Sequence, residues 1–148
     1  MLRSAFLLIA TFLTFSLAAQ EYKVITTVES VVPGGAGRSR IIENTQAMNA
    51  DALTTARENG KKSEQGEVRR KDAKIDKLNE TKLLNFYSFV GINFQNIASN
   101  DALIMSKINA LVAEGWELAF INSGVESNAG KQDGDGLFIT RYILKRAK

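Results

Sequence analysis

The chain contains neither cysteine nor histidine. No disulfide can brace it and no Cys/His zinc site can nucleate it, so its fold must be held by packing and hydrogen bonding alone. The same absence excludes a thiolate nucleophile, an imidazole acid or base, and a Ser-His-Asp triad. No motif implies a cofactor or a metal. Charge is nearly balanced, 19 Lys and Arg against 16 Asp and Glu. That surplus is too small to argue for nucleic acid as a partner. At 148 residues, one domain is the expectation.

The first twenty residues read as an export signal. Met1-Leu2-Arg3-Ser4 gives a short basic start, Ala5 to Leu17 is an uncharged apolar run, and small residues follow at Ala18-Ala19 before Gln20. This is the three-part layout of a secretory signal peptide. The run is short for a membrane span, which needs about 20 strongly apolar residues. No stable span is therefore expected once the signal is cleaved after Ala18, Ala19 or Gln20. No Cys follows the run, so no lipid anchor is expected on the mature N-terminus. Residues 21–148 form the expected domain, placed in the periplasm or outside the cell. Its charge surplus is two, because the discarded segment carries Arg3 and no acid.

Residues 21–32 are rich in β-branched types. Tyr22, Val24, Thr26 and Val28 alternate with Lys23, Ile25, Thr27 and Glu29, a period of two that predicts a strand with one buried face. Val32-Pro33-Gly34-Gly35 supplies turn chemistry, and Arg38–Glu43 is expected to return as the second arm of a hairpin. From Asn44 to Glu80 the composition turns polar. Between Arg57 and Lys82, 15 of 26 residues are charged, nine basic and six acidic. This reads as a long polar insert, residues 44–80, mobile or weakly helical at the domain edge.

Leu83 to Ile97 is apolar again and fits helix and strand spacing almost equally. A helix over about Glu80–Val90 is the favoured reading, with Asn79 as N-cap and Gly91 as the stop. A second helix is expected over 99–115. Ser99-Asn100-Asp101 would cap it, Ile104, Ile108, Leu111 and Val112 would mark its buried face, and Gly115 would end it. Trp116–Ile121 and Leu137–Arg146 read as strands joined by a polar loop, hence as an antiparallel hairpin.

Three places could carry chemistry. In the Gly-rich turn, Gly34, Gly35 and Gly37 expose backbone N–H groups, and Arg38, Ser39 and Arg40 follow. Such a set can hold a phosphate or carboxylate. It lacks the Gly-Lys-Ser/Thr ending of a P-loop, and its plain reading is a tight turn with outward arginines. Glu114 and Glu117 flank Gly115-Trp116, and two carboxylates can serve a hydrolase as acid and base. A Trp at that joint is more often a core anchor, its indole N–H finding a backbone acceptor. Asp133-Gly134-Asp135-Gly136 is a fragment of a calcium loop without its bidentate Glu, Tyr142 standing in that place. Asn79-Glu80-Thr81 is a glycosylation sequon, with meaning only in a eukaryotic host.

The segment Ile108-Asn109-Ala110-Leu111-Val112-Ala113-Glu114-Gly115-Trp116-Glu117-Leu118, with Glu21-Tyr22-Lys23-Val24 upstream and a last strand ending Lys145-Arg146, resembles the small bacterial domain-of-unknown-function 4177 family. The chain also resembles a set of exported proteins of Bacteroidota. The resemblance implies a small α+β domain with Trp116 and the Gly115 bend as its signature. It implies no activity, so no catalytic residue is carried over.

The sequence thus predicts an exported α+β domain, an antiparallel sheet of about four strands packed against one or two helices. The expected role is a non-catalytic binding or structural module of the bacterial envelope or exterior. Its alternatives are a small-anion or phosphate binder using the Gly-rich Arg turn, and a carboxylate-only hydrolase. The partner expected is an envelope or extracellular molecule, with self-assembly through a sheet edge as a further possibility.

Overall fold

The computed structural model describes residues 19–30, 39–126 and 136–148. The expected signal core, the glycines and Arg38 of the turn, and Asp133 to Asp135 lie outside the described residues.

The strands are β1 (Gln20–Ser30), β2 (Arg40–Asn44), β3 (Leu78–Lys82), β4 (Tyr87–Ser88), β5 (Gly91–Ile92), β6 (Glu117–Val125) and β7 (Leu137–Ala147), with one helix, α1 (Phe94–Ala113). Five strands form one antiparallel sheet in the order β3-β2-β1-β7-β6, and β4-β5 is a separate small hairpin. The fold is mixed and dominated by its sheet. Among the described residues it has one strand more in the main sheet than the four expected, and a single α-helix.

The first and last strands lie side by side at the centre. They pair from Gln20 opposite Ala147 to Ser30 opposite Leu137. The period of two in β1 is thereby used as the sequence implies, and the helix-facing set is the odd one. Ile25, Thr27 and Glu29 are buried, while Tyr22 and Val24 face solvent on the other side. Residues opposite one another in an antiparallel pair share a face. The register therefore places Ile41 and Glu43 of β2, and Thr140, Tyr142 and Leu144 of β7, on the helix side as well.

Helix α1 covers that face. Ile104, Ile108 and Leu111 recur at helical spacing and join Ile25, Ile41, Leu83, Trp116 and Leu144 in one core. Val112, expected on the buried face, is exposed. The helix also starts five residues earlier than 99. Asn93 is its N-cap, the side chain accepting the Asn96 N–H at 3.1 Å. Asn100, expected as a cap residue, sits inside the helix and is wholly buried. Beyond Ala113 the chain reverses at Gly115, whose φ of 88° is the left-handed conformation that glycine adopts without a Cβ clash.

The expected helix over Glu80–Val90 is absent. Glu80 instead pairs with Ile42 in β3, and the Leu83 N–H reaches the Ser39 carbonyl at 3.0 Å, so the ladder continues past the strand end. Leu84 is then held by a side chain. Asn100 Oδ1 accepts its N–H at 2.7 Å, and Asn100 Nδ2 donates to its carbonyl at 2.7 Å. Backbone groups engaged in this way cannot join a helical ladder. Gly91, expected as a helix stop, closes the β4-β5 turn with φ 122°. The polar insert carries three short 3-10 turns, Asp51–Leu53, Glu58–Gly60 and Glu64–Glu67, none with a buried residue.

Candidate functional site

Ser39 is the one described residue of the Gly-rich turn that lies in the interior. Its Oγ accepts the Ser30 N–H and donates to Asn85 Oδ1, both at 2.9 Å, so it fastens β1, β2 and the 83–85 segment together. Arg40 faces away from the helix and its Nη1 donates to Glu80 of β3 at 2.6 Å. Both side chains thus serve the sheet. Gly34, Gly35, Gly37 and Arg38 lie outside the described residues.

Two buried carboxylates carry no signal in the sequence, because each looks like an ordinary strand charge. Glu29 Oε1 accepts from Asn100 Nδ2 at 3.0 Å. Burial pushes its carboxyl above the usual range, and the Asn100 hydrogen bond only partly opposes this. Glu43 joins Lys23 of β1 at 3.0 Å and Lys107 of α1 at 2.5 Å. Burial would raise it, but the two ammonium groups outweigh that and hold it low. Both carboxylates tie the helix to the sheet. Glu43 also borders an open depression of about 670 Å³ together with Glu21, Lys23 and Trp116.

Trp116 is 3% exposed. Arg146 lies 4.3 Å and Lys23 5.2 Å from its ring, within cation–π range. Its indole nitrogen is buried without an acceptor. Glu114 and Glu117 line one open depression of about 640 Å³ with Glu21, Lys145 and Arg146. Cations line it beside the acids: Arg146 pairs with Glu21 at 3.0 Å, and Lys145 lies 3.9 Å from Glu117. Among the described residues no cluster of carboxylates is able to hold a metal ion, and no helix is long and apolar enough to cross a membrane.

What folding leaves unused is apolar. The β4-β5 hairpin is drawn tight by Ser88 Oγ donating to the Gly91 carbonyl at 3.2 Å and by the Asn93 N–H reaching the Phe86 carbonyl at 2.7 Å. Its two tip residues are Phe89, 92% exposed, and Val90, 98% exposed. Ile92 and Phe94 beside them are exposed as well. Isolated surface apolar residues are ordinary, but four within six positions on one protrusion make a patch. The hairpin is anchored by Asn96, whose Nδ2 donates to the Asn85 carbonyl at 2.9 Å. The tip is therefore presented on a fixed base. Phe89 and Val90 fall at the end of the helix expected over Glu80–Val90, and the hairpin that stands there instead brings them to the surface.

No protein-family model, curated protein or solved structure matches the chain.

Proposed function

We propose that this protein is an exported, non-catalytic binding module of the bacterial envelope or exterior, and that it engages its partner with the Phe89–Val90 tip. The carrying observation is the exposure of those two side chains. Each forgoes roughly 1.5–3 kcal/mol of burial in the isolated fold, which a partner surface would recover. Export rests on the leader at residues 1–20. The likeness to the 4177 family rests on the Ile108–Leu118 segment. Two features support it, the reversal at Gly115 and the burial of Trp116 directly after it.

A photo-crosslinking amino acid in place of Phe89, in the protein produced by its own host, tests the reading. The expected result is one dominant adduct that is missing when the same group replaces Lys62 in the insert. Equal background labelling at both positions would refute it. Intact mass of the exported form should show the loss of 18, 19 or 20 residues.

A further inference from the structure

The sheet has two edges, and they differ. β3 carries Glu80 and Lys82, charges that discourage edge pairing. β6 runs nine residues from Glu117 to Val125 and has no charged side chain after Glu117. Its bulge falls between Leu118 and Phe120, so Phe120–Val125 is a regular run that no described strand pairs on its outer side. No proline or lysine guards it.

The flanking surface is apolar on both faces. On the helix side Leu118, Ile121 and Val125 are exposed, while the core side chains of α1 cluster with Ile25, Ile41 and Leu144 of β1, β2 and β7. Lys107 and Asn96 bind toward β2 and the 85 segment. The opposite flank of α1, with Met105 and Val112 also exposed, therefore lies on the β6 side. On the far side Phe120 is 68% exposed. Four residues on, and on the same face by its pairing with Ile139, Gly124 leaves a depression of about 280 Å³. Ile139, Arg141 and Asn122 border it. A Cβ built at Gly124 would meet nothing within 4 Å.

A knob and a hole placed two residues either side of Asn122 are self-complementary under a two-fold axis. We propose that this protein pairs with a second copy of itself through β6, antiparallel about Asn122, so that Phe120 of each copy seats over Gly124 of the other. In that register Asn122 meets Asn122 of the second copy, and Ile121 lies opposite Ser123. No like charges oppose one another. An aromatic ring over a cross-strand glycine covers backbone that the glycine exposes. Arg141 at the rim offers its guanidinium plane to the ring. The interface is isologous and closes, which separates it from open-ended edge aggregation. The six exposed apolar side chains Met105, Val112, Leu118, Phe120, Ile121 and Val125 together expose on the order of 500–600 Å² per copy, the most that their burial can contribute toward the ~800 Å² per partner of a standard interface. The Phe89–Val90 tip is not part of it, so a dimer would present two tips.

Sedimentation or light scattering of the purified protein should give twice the chain mass at micromolar concentration. Gly124→Val, which fills the hole with space to spare in a single copy, should give the monomer without lowering the melting temperature. Ile121→Lys should do the same. Because the chain has no cysteine, Asn122→Cys alone should form a disulfide dimer readily under mild oxidation. Directly opposed antiparallel residues lie about 4.5–5.5 Å apart at Cα, within disulfide reach. A Lys62→Cys control should not. A monomer at every concentration would overturn the proposal. So would a dimer that survives Gly124→Val, or crosslinking at position 122 no faster than at 62. Crosslinking from Phe89 reports on the partner reading separately, whichever way these results fall.

Discussion

Replacing Asn100 by Ala separates two accounts of the region where sequence and structure differ most. If Asn100 were a helix cap, as its place in Ser99-Asn100-Asp101 predicts, its loss would cost about 1 kcal/mol. In the structure it is wholly buried and makes three hydrogen bonds, accepting the Leu84 N–H and donating to the Leu84 carbonyl and to Glu29. Truncation leaves three partners without it in or near the interior, at roughly 1–3 kcal/mol each where water does not reach. The Leu84 groups are only partly buried, so the total expected is about 3–5 kcal/mol. Urea denaturation followed by fluorescence measures it, since Trp116 is the one tryptophan and is buried. Asn109→Ala on the exposed side of α1 should stay within about 0.5 kcal/mol. A Glu29→Ala, Asn100→Ala double mutant should cost less than the two singles together, by on the order of 1 kcal/mol. A loss near 1 kcal/mol for Asn100→Ala, with no coupling to Glu29, would refute the interior clamp.

The two buried carboxylates should bend the pH dependence of stability in opposite senses. Glu29 is raised by burial, so its contribution is full at low pH and is lost as pH rises through its folded value. Glu29→Gln should therefore reduce the decline toward neutral pH in denaturation midpoints. Glu43 is lowered by Lys107 and Lys23, so its contribution is present above its unfolded value and lost as pH falls through the folded one. Glu43→Gln should cost about 1–2 kcal/mol at neutral pH, discounted because both lysines remain partly in water, and little in acid. Gly115→Ala should cost about 1–2 kcal/mol through its left-handed backbone alone, as Cβ meets no atom there. A melting temperature unchanged by Gly115→Ala would place that turn differently.

Much of the sheet was legible in the sequence, and the reason is specific. β1 alternates its two faces with a period of two, and this period survives in the structure because one helix covers one face; β2 follows a Pro-Gly turn signal, and β6 and β7 carry apolar runs bounded by polar loops. α1 was legible from Ile104, Ile108 and Leu111, but its start was not. Residues 83–97 fit helix and strand almost equally in sequence, and the helix favoured over Glu80–Val90 fails because local pattern assumes that apolar residues are spent on a core. Here Phe89, Val90 and Phe94 are left outside, and the Leu84 backbone is fixed by a side chain sixteen positions away. β3 carried no signal, since every one of its residues is exposed. Ser39 and Arg40 stand out in the sequence as anion ligands, yet the partners Asn85 and Glu80 that engage them are forty or more residues distant. Phe120 and Gly124 were visible as residues. That they lie on an unguarded edge was not, because strand order depends on the pairing of the first strand with the last.

The central claim is that the Phe89–Val90 tip is covered in the native setting. Hydroxyl-radical footprinting compares the protein in its host with the same protein purified. In isolation Phe89 should label strongly, as its exposure dictates. In the host its labelling should fall several-fold, while exposed Met48 in the insert labels equally in both. Equal labelling of Phe89 in the two settings would contradict the account.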